Sequence, residues 1–423
     1  MIQFLIKGLL RDRQRSLLPL LVVTIGVMLT VFMHAWVTGV MGDSVEFNAR
    51  FETGHVKVTT RAYAENAGQI PIDLSLEGAG EMLNILHSKY PDMAWVERTR
   101  FGGLIDVPDE SGETISQGPV TGLAIELLNE NSGEKERMNL TNALVRGHFP
   151  DEPGEILISN HLFEKLGISL GREVTLITTS MYGSMVFHNF RISGTLSFGM
   201  GSLDKGTLIM DLEDARHVLD MEDATAEILG FFGPGYFEPE KAEAMCRVFN
   251  EKYSDPKDEF SPLMQNMRSY PQIANLLDMA GLMAFIITAA FIMVMSIVLW
   301  NTGLISGLRR YGEMGVRLAI GESKGHVYRS LISESVAIGL AGSVAGTLAG
   351  MLCAYILQEK GLHFDVNMDT AAVMMPSTFR AHITPITYWV GFIPGLISTV
   401  LGTMLSGIGI FKRKTAELFK ELE

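Results

Sequence analysis

The chain has 423 residues, a formal net charge of −14 and only 19% charged residues, and its mean hydropathy is +0.21. A soluble domain carries about 25% charged residues, so this composition indicates that much of the chain lies in lipid. No segment is basic enough for a nucleic-acid-binding surface, and the two cysteines, Cys246 and Cys353, are too few for a disulfide framework.

The sequence contains four apolar runs, each near or above the ~20 residues with which a helix crosses a bilayer. They cover residues 17–41, 273–305, 334–357 and 388–411. The first run exceeds the ~7–15 residues of a signal-peptide core, and no clear small-x-small cleavage site follows it, so we expect an uncleaved anchor. The sequence therefore predicts four transmembrane α-helices, one before and three after a large extracytoplasmic domain.

Basic residues flank these runs on one side only. Lys and Arg cluster in residues 1–16, 306–333 and 412–423. Because Lys and Arg are retained in the cytoplasm, both termini are predicted to be cytoplasmic, with residues 42–272 and the short loop 358–387 outside. Apolar residues lie opposite Lys7 and Arg11 at helical spacing, which favours an amphipathic N-terminal helix on the inner leaflet. A basic flank without fixed structure is the alternative.

The predicted outer domain, residues 42–272, holds nearly twice as many acidic as basic residues. Its pattern of short elements is typical of a mixed α+β fold. Strands are predicted at residues 55–60, 155–159 and 173–178. Helices are predicted at residues 79–89, 161–166 and 239–253. A domain of this length can be stable through its own core.

The predicted cytoplasmic loop, residues 306–333, is short and charged and contains the string RRYGEMGVRLAIGESKGHVYRSLIS. Met314, Leu318 and Val327 form an apolar stripe along it. One interpretation is a solvated connector between two spans. The other is a docking helix that a soluble partner receives in a groove, with burial of the stripe supplying most of the docking energy.

This string resembles the C-terminal segment of FtsX-like permeases, in which an acidic-Ile-Gly element is followed by Arg-Ala-Ile-Gly-Ala and then by a span that opens with Glu. Met314 and Leu318 are mild departures from that pattern. The resemblance implies that the loop couples the permease to an ATPase. The residues expected at this coupling site are Arg309, Arg310, Glu313, Gly315, Arg317, Gly321 and Glu334.

A second string, RGHFPDEPGEILISNHLFEKLGISLGREVTLIT, lies in the predicted outer domain. It resembles the periplasmic domains of the macrolide-exporter and lipoprotein-releasing permeases (MacB-like and LolC/LolE-like). The resemblance implies a permease of the bacterial inner membrane that works as a homo- or heterodimer and moves its outer domains when an ATPase closes in the cytoplasm. Release of lipoproteins is the favoured activity, and a MacB-like exporter of peptides or amphipathic small molecules is the alternative.

Partners and cofactors follow from the same resemblance. The chain contains no GxxxxGK[ST] phosphate-binding loop, so ATP and Mg are expected to be used by a separate ATPase subunit. A second permease subunit and a periplasmic carrier or adaptor are the other partners that the family implies. No cofactor is expected in this chain itself.

Three glycines, Gly342, Gly346 and Gly350, recur every four residues in the third run. Small residues in register let helix backbones approach closely inside a membrane. The stripe could serve packing within the subunit or a dimer seam, and the sequence leaves both open. His34 in the first run and Asp278 in the second are polar groups at membrane depth, for which a structural role is favoured over a functional one.

Two other classes of protein fit the sequence less well. A membrane-anchored sensor would need a sizeable cytoplasmic output domain, and only about a dozen residues follow Phe411. A membrane enzyme would need a convergent catalytic set. The two GxSxG strings, around Ser169 and Ser323, lack the strand-turn-helix order of a nucleophile elbow, and no HExxH metal motif occurs.

Overall fold

A computed structural model describes residues 13–109, 111–198, 201–233, 237–308, 311–363 and 378–412. The predicted amphipathic helix over residues 1–16 lies almost entirely outside the described residues. The chain divides into two compact units. The helical unit holds residues up to Asp43, and from Asp278 through the remaining long helices, whereas the sheet unit is essentially Ser44–Leu277.

The α-helices of the described residues are α1 Arg13–Asn48, α2 Arg61–Asn66, α3 Ala79–Lys89, α4 Glu134–Arg137, α5 Leu140–Ala143, α6 Asn160–Leu166, α7 Gly201–Asp204, α8 Leu212–Val218, α9 Pro239–Tyr253, α10 Pro271–Leu308, α11 Tyr311–Ala319, α12 Lys324–Lys360, α13 Thr387–Val390 and α14 Thr399–Lys412. The strands are β1 Val56–Thr60, β2 Leu76–Glu77, β3 Met93–Pro108, β4 Thr114–Ile125, β5 Leu144–Gly147, β6 Glu155–Ser159, β7 Glu173–Thr179, β8 Met185–Leu196, β9 Thr207–Asp211, β10 Ala224–Thr225, β11 Glu227–Phe232, β12 Pro262–Asn266, β13 Leu362–His363 and β14 Thr378–Phe379.

Four helices among the described residues are long and apolar enough to cross a membrane: Leu17–Thr53, Ile273–Ile305, Lys324–Lys360 and Thr387–Ile408. One precedes the sheet unit and three follow it, so the predicted fold class is confirmed. The first and third of these helices are longer than the apolar runs. The first continues past residue 41, and α12 begins within the predicted loop, because a helix continues wherever its turns are packed or capped, whether or not lipid surrounds it.

The fourth apolar helix is irregular. It consists of α13, a π-helical segment Ile393–Ser398 and α14. Pro394 lies at the start of the π segment and has no N–H to donate, which removes one bond of the regular α-helical ladder. A second π turn, Ala49–Thr53, ends the first helix.

The sheet unit is built on a ten-stranded sheet with the order β12-β1-β11-β3-β4-β9-β6-β8-β5, and β7 pairs with both β3 and β8. Strand β3 joins two halves of this sheet. Its residues 93–98 pair with β11, and its residues 99–108 pair with β4. Each half has its own apolar core, one with α3 and α9 and the other with α6 and α8. A mixed sheet with helices packed on it is the predicted α+β architecture.

The predicted elements of this unit are present. Helices α3 and α9 and strand β6 have the predicted bounds, while β1, β7 and α6 differ from the prediction by one residue at one end. The pattern of apolar residues was a sufficient signal for these segments, because each packs on an apolar core.

Candidate coupling site

The loop between the second and third long helices forms a helical hairpin of α11 and the start of α12. Gly321 ends α11 with a left-handed φ of 103°. Its N–H donates to the Leu318 carbonyl at 3.1 Å, and the Glu322 N–H donates to the Arg317 carbonyl at 3.1 Å, which together form a Schellman motif. Glycine tolerates this backbone conformation without strain. Ser323 then caps α12, its hydroxyl accepting from the His326 N–H.

The apolar stripe of the hairpin is covered by the chain itself. Met314 and Val327 are almost fully buried, and together with Leu331 and the partly buried Leu318 they form one cluster between α11 and α12. The expectation that this stripe supplies most of the docking energy is therefore wrong. The sequence showed its helical spacing, but spacing alone cannot distinguish a face that binds a partner from one that packs within the chain.

The outer surface of the hairpin carries different apolar residues. Ile320 is 81% exposed at the turn, and Val316 is 41% exposed on α11. Beside them, Arg317 Nε lies 3.1 Å from Glu322 Oε2, and both side chains are partly exposed. Sequence reasoning did not single out Ile320, although it directly precedes the motif glycine. An exposed isoleucine at a tight turn is a suitable anchor for a groove on another protein.

The remaining residues of the predicted coupling site are distributed along the hairpin. Glu313 is exposed and Gly315 is buried on α11, whereas Glu334 is half-buried one helical turn beyond Leu331 on α12. Arg309 and Arg310 lie outside the described residues. The hairpin also contacts α14, because the Tyr328 hydroxyl donates to the Met404 carbonyl oxygen at 3.4 Å.

The three glycines of α12 all face helix α1 of the same chain. A Cβ atom added at Gly342 would lie 2.6 Å from Val23 Cγ1, one at Gly346 2.5 Å from the Thr24 carbonyl oxygen, and one at Gly350 2.8 Å from the Met28 carbonyl oxygen. Such distances do not occur for real side chains, so each glycine is required for the close approach of the two helices. Of the two roles that the sequence left open, the structure places these glycines in an intrachain seam.

The fourth apolar helix closes the same seam. Added Cβ atoms at Gly391 and Gly395 would both lie within 2.6 Å of Val27 side-chain atoms, and Val27 itself is fully buried. His34, further along α1, contacts the segment before this helix, with its Nε2 3.4 Å from the Thr384 hydroxyl. This contact supports a structural role for His34, in packing α1 against the segment that contains Thr384.

These observations define a class of protein: a multi-pass membrane protein in which a large sheet domain lies between the first and second long helices in the sequence. A structured hairpin joins the second and third helices. Residues 285–415 match the family described as FtsX-like permease C-terminal. This range is less than half of the chain, and over it the chain is similar to FtsX-like permeases. The matched range contains the hairpin and most of the three later helices.

Two curated relatives are similar to part of the chain. The lipoprotein-releasing system transmembrane proteins LolC of Xylella fastidiosa strains Temecula1 and 9a5c are each 23% identical over 243 residues, which cover 55% of this chain and 54% of theirs. The chain thus matches about half the length of these relatives. Among solved structures, the periplasmic region of MacB from Actinobacillus actinomycetemcomitans is 10% identical with a TM-score of 0.36, covering 54% of this chain and 95% of that one.

Proposed function

We propose that this chain is the transmembrane subunit of an ABC transporter in which a separate ATPase subunit, using ATP and Mg, drives movement of the outer domain. The observation that carries the proposal is the family match over residues 285–415, which contains a hairpin with an exposed isoleucine at its turn. Mechanical transmission also suits the tightly packed seam of α1, α12 and the fourth helix, because close-packed helices move as a body.

The hairpin is the proposed ATPase-docking element. Its inner face packs on the chain itself, so a push on the turn would be passed directly to α12. Ile320 and Val316 would supply apolar contact, and Arg317 with Glu322 would form a polar rim around them. This arrangement matches the usual anatomy of a docking surface, which has an apolar anchor surrounded by solvated charges.

The proposed location is the bacterial inner membrane, with the hairpin and both termini in the cytoplasm and the sheet unit outside. The distribution of Lys and Arg supports this orientation, since residues 306–333 and 412–423 are both basic-rich. The negative sheet unit is suited to translocation, because acidic residues contribute little to retention in the cytoplasm.

The proposed cargo is a lipoprotein released from the inner membrane, and the resemblance to the LolC proteins supports it. A soluble carrier or adaptor would then meet the outer domain. The β7–β8 hairpin is a candidate surface for that contact, because Tyr182, Met185 and Phe187 are all well exposed at or near its tip. Three large exposed apolar side chains on one hairpin are more typical of a binding surface than of a solvated loop.

A dimer of permease subunits is also proposed. Helix α10 leaves a long series of apolar side chains exposed, including Phe285, Met293 and Ile297. In contrast, the glycine stripe of α12 is occupied by α1 and is not available to a second subunit. A homodimer and a heterodimer would both use α10 in this way.

The test is reconstitution of the full chain with a co-expressed ABC ATPase in proteoliposomes that hold a bacterial lipoprotein. We expect the ATPase to co-purify with the chain and the lipoprotein to transfer to a soluble carrier only when ATP is present. Co-purification without transfer of lipoprotein would contradict the proposed cargo and would favour a MacB-like exporter of peptides or amphipathic molecules. Failure of any ABC ATPase to co-purify would contradict the transporter assignment itself.

A further inference from the structure

Two arginines of strand β3 hold the end of the first helix. Arg98 is fully buried, and its Nη1 donates to the Arg50 carbonyl oxygen at 2.6 Å. Arg100 lies two residues further on the same face of the strand, and its Nη2 donates to the Phe51 carbonyl oxygen. Both carbonyls belong to the π turn Ala49–Thr53. The last carbonyls of a helix lack partners within the helix and carry partial negative charge, so two guanidinium groups are well matched to them.

An acidic residue pairs with each arginine, closely at Arg98 and at longer range at Arg100. Arg98 Nε lies 2.7 Å from Glu134 Oε2, and the Glu134 side chain is itself fully buried. Arg100 Nε lies 3.9 Å from Glu227 Oε2 on β11. A planar guanidinium that is bound at two of its nitrogens has little freedom to rotate. The positions of the two carbonyls are therefore tied to β3 and to the elements on either side of it.

The side chain of Phe51 provides a second anchor for the same turn. It is buried in an apolar cluster of the sheet unit together with Leu123 of β4, Leu157 of β6 and Ile209 of β9. The turn is thus held through its backbone by two arginines and through one side chain by the sheet core. It cannot be displaced without moving the sheet.

The polar contacts continue toward the second long helix. Glu227 Oε1 lies 2.9 Å from Lys57 Nζ, and Lys57 Nζ lies 5.6 Å from the centre of the Tyr270 ring. Tyr270 directly precedes α10, and its hydroxyl donates to Gln265 Oε1 at 3.1 Å. Buried side chains therefore link the end of the first helix to the residue at which the second begins.

Apolar contacts reinforce this link. Ala49 at the end of the first helix and Ile273 near the start of α10 are buried in one cluster with Met267, and Val45 and Leu277 pack against it. The end of the first long helix and the start of α10 therefore contact each other. A group of arginines that served stability alone would not need to be placed at this junction, since buried ion pairs are often no more stabilising than apolar side chains of the same size.

The two arginines also lie where strand β3 changes its pairing partner from β11 to β4. Arg98 is opposite Glu227 of β11, in the half of the sheet on which α3 and α9 pack. Arg100 is opposite Leu123 of β4, in the other half. A displacement of the π turn would thus reach β3 at the point from which both halves of the sheet extend.

We propose that Arg98 and Arg100 are positioning residues that transmit movement of the first membrane helix to the outer sheet. The inference rests on the proposed function, and it assigns the transmission step to named residues. With the two guanidinium contacts intact, a shift of residues 50 and 51 moves β3 and both halves of the sheet. Without them, only the Phe51 side chain and its apolar neighbours tie the helix end to the sheet, and less of the movement reaches β3.

The test removes one of these contacts together with the buried carboxylate that pairs with it. Arg137, which also pairs with Glu134, keeps 16% of its side chain exposed. In the double variant Arg98→Met with Glu134→Met, both members of an ion pair become apolar, a change that is often tolerated. The control is Glu97→Met with Arg216→Met, which removes a neighbouring ion pair of β3, at 2.8 Å, with no bond to the π turn. Arg98→Lys, which keeps the charge but loses the planar two-point contact, is a second test variant should the double variant fail to fold.

Each protein is reconstituted with its ATPase, and the distance between spin labels at position 185 of the two subunits (Met185→Cys on a Cys353→Ser background) is measured with and without ATP. We expect an ATP-dependent shift in the wild type and the control, and loss of at least half of that shift in the Arg98 variants, with ATPase activity retained. An undiminished shift in the Arg98 variants would overturn the inference alone. A wild type that shows no shift would overturn the proposed function and the inference with it.

Discussion

Glu227 lies between two cations, Lys57 and Arg100, and almost no water reaches its carboxylate. Burial alone would raise the pKa of this carboxyl, but the charges of Lys57 and Arg100 outweigh burial and hold its pKa below the ordinary range. A carboxyl whose folded-state pKa is depressed stabilises the fold at pH values above its unfolded pKa, and that stabilisation is lost as the pH falls through the folded pKa.

We therefore expect Glu227→Gln to destabilise the protein at pH 7, by about 3–5 kcal/mol, because it leaves Lys57 as an unpaired buried charge. The difference from wild type should shrink as the pH falls below the unfolded pKa and through the depressed folded pKa of Glu227, because the wild-type carboxyl then becomes protonated as well. Thermal unfolding of both proteins in detergent, from pH 7 down to acidic pH, measures this difference in stability. The control is Glu213→Gln, at a largely exposed carboxylate. A deficit that stays constant down to the lowest pH would contradict the ion-pair assignment.

Gly346 tests the close packing of α12 against α1. An added Cβ would meet the Thr24 carbonyl oxygen and the Val27 side chain, so Gly346→Ala should destabilise the helical unit by about 1–3 kcal/mol. Gly281, also in a long apolar helix, has open space around its Cα, and Gly281→Ala is the matched control. The measurement is the midpoint of thermal unfolding in detergent. Equal midpoints for the two variants would show that the seam is not close-packed.

At the scale of elements, the hairpin of α11 and α12 carries two sets of apolar residues, one buried and one exposed, which the spacing in the sequence does not distinguish. Its inner stripe holds the hairpin together, and its turn presents Ile320 to solvent. The burial of one isoleucine side chain contributes about 1.5–3 kcal/mol, which corresponds to roughly tenfold or more in affinity.

Ile320→Glu should therefore reduce recovery of the ATPase on purification by about tenfold without affecting membrane insertion. The matched control is Ile115→Glu on β4, where the isoleucine is 59% exposed in the sheet unit. Recovery of the ATPase is quantified relative to the permease in the same detergent extract. Wild-type recovery with Ile320→Glu would exclude the turn as the docking contact.

The length of each element was predictable when one physical signal dominated. Apolar runs identified the four long helices, and 3.6-residue periodicity identified α3 and α9, because each presents one face to a core. Strand β6 was recognised from a short apolar run, and it is buried on both faces. The bounds of the long helices were not predictable from hydropathy. The first continues to Asn48 because its last turns pack at Ala49 and are held by buried side chains, which no local pattern reveals.

Contacts between distant residues were the part that the sequence could not provide. Arg98 and Glu134 are 36 residues apart, and in an acidic segment both read as solvated charges, yet both are fully buried. The partner of the α12 glycines was equally open, since a stripe of small residues indicates a close approach without indicating which helix approaches. Only the folded chain identifies α1 as that helix.

For the whole molecule, the proposed function is a mechanical scheme in which the helical unit would receive movement at its hairpin and the sheet unit would deliver that movement outside the membrane. The scheme requires the hairpin and the sheet unit to lie on opposite sides of the membrane. Two exposed residues report on this requirement, Ile320 at the turn of the hairpin and Tyr182, 74% exposed, at the β7–β8 tip.

The most direct measurement is labelling of single cysteines, Ile320→Cys and Tyr182→Cys on a Cys353→Ser background, with a membrane-impermeant maleimide in spheroplasts. The remaining Cys246 is buried and should not react. We predict that position 182 is labelled in intact spheroplasts and that position 320 is labelled only after the membrane is permeabilised. Labelling of both positions from the same side would contradict the proposed topology and, with it, the transporter function.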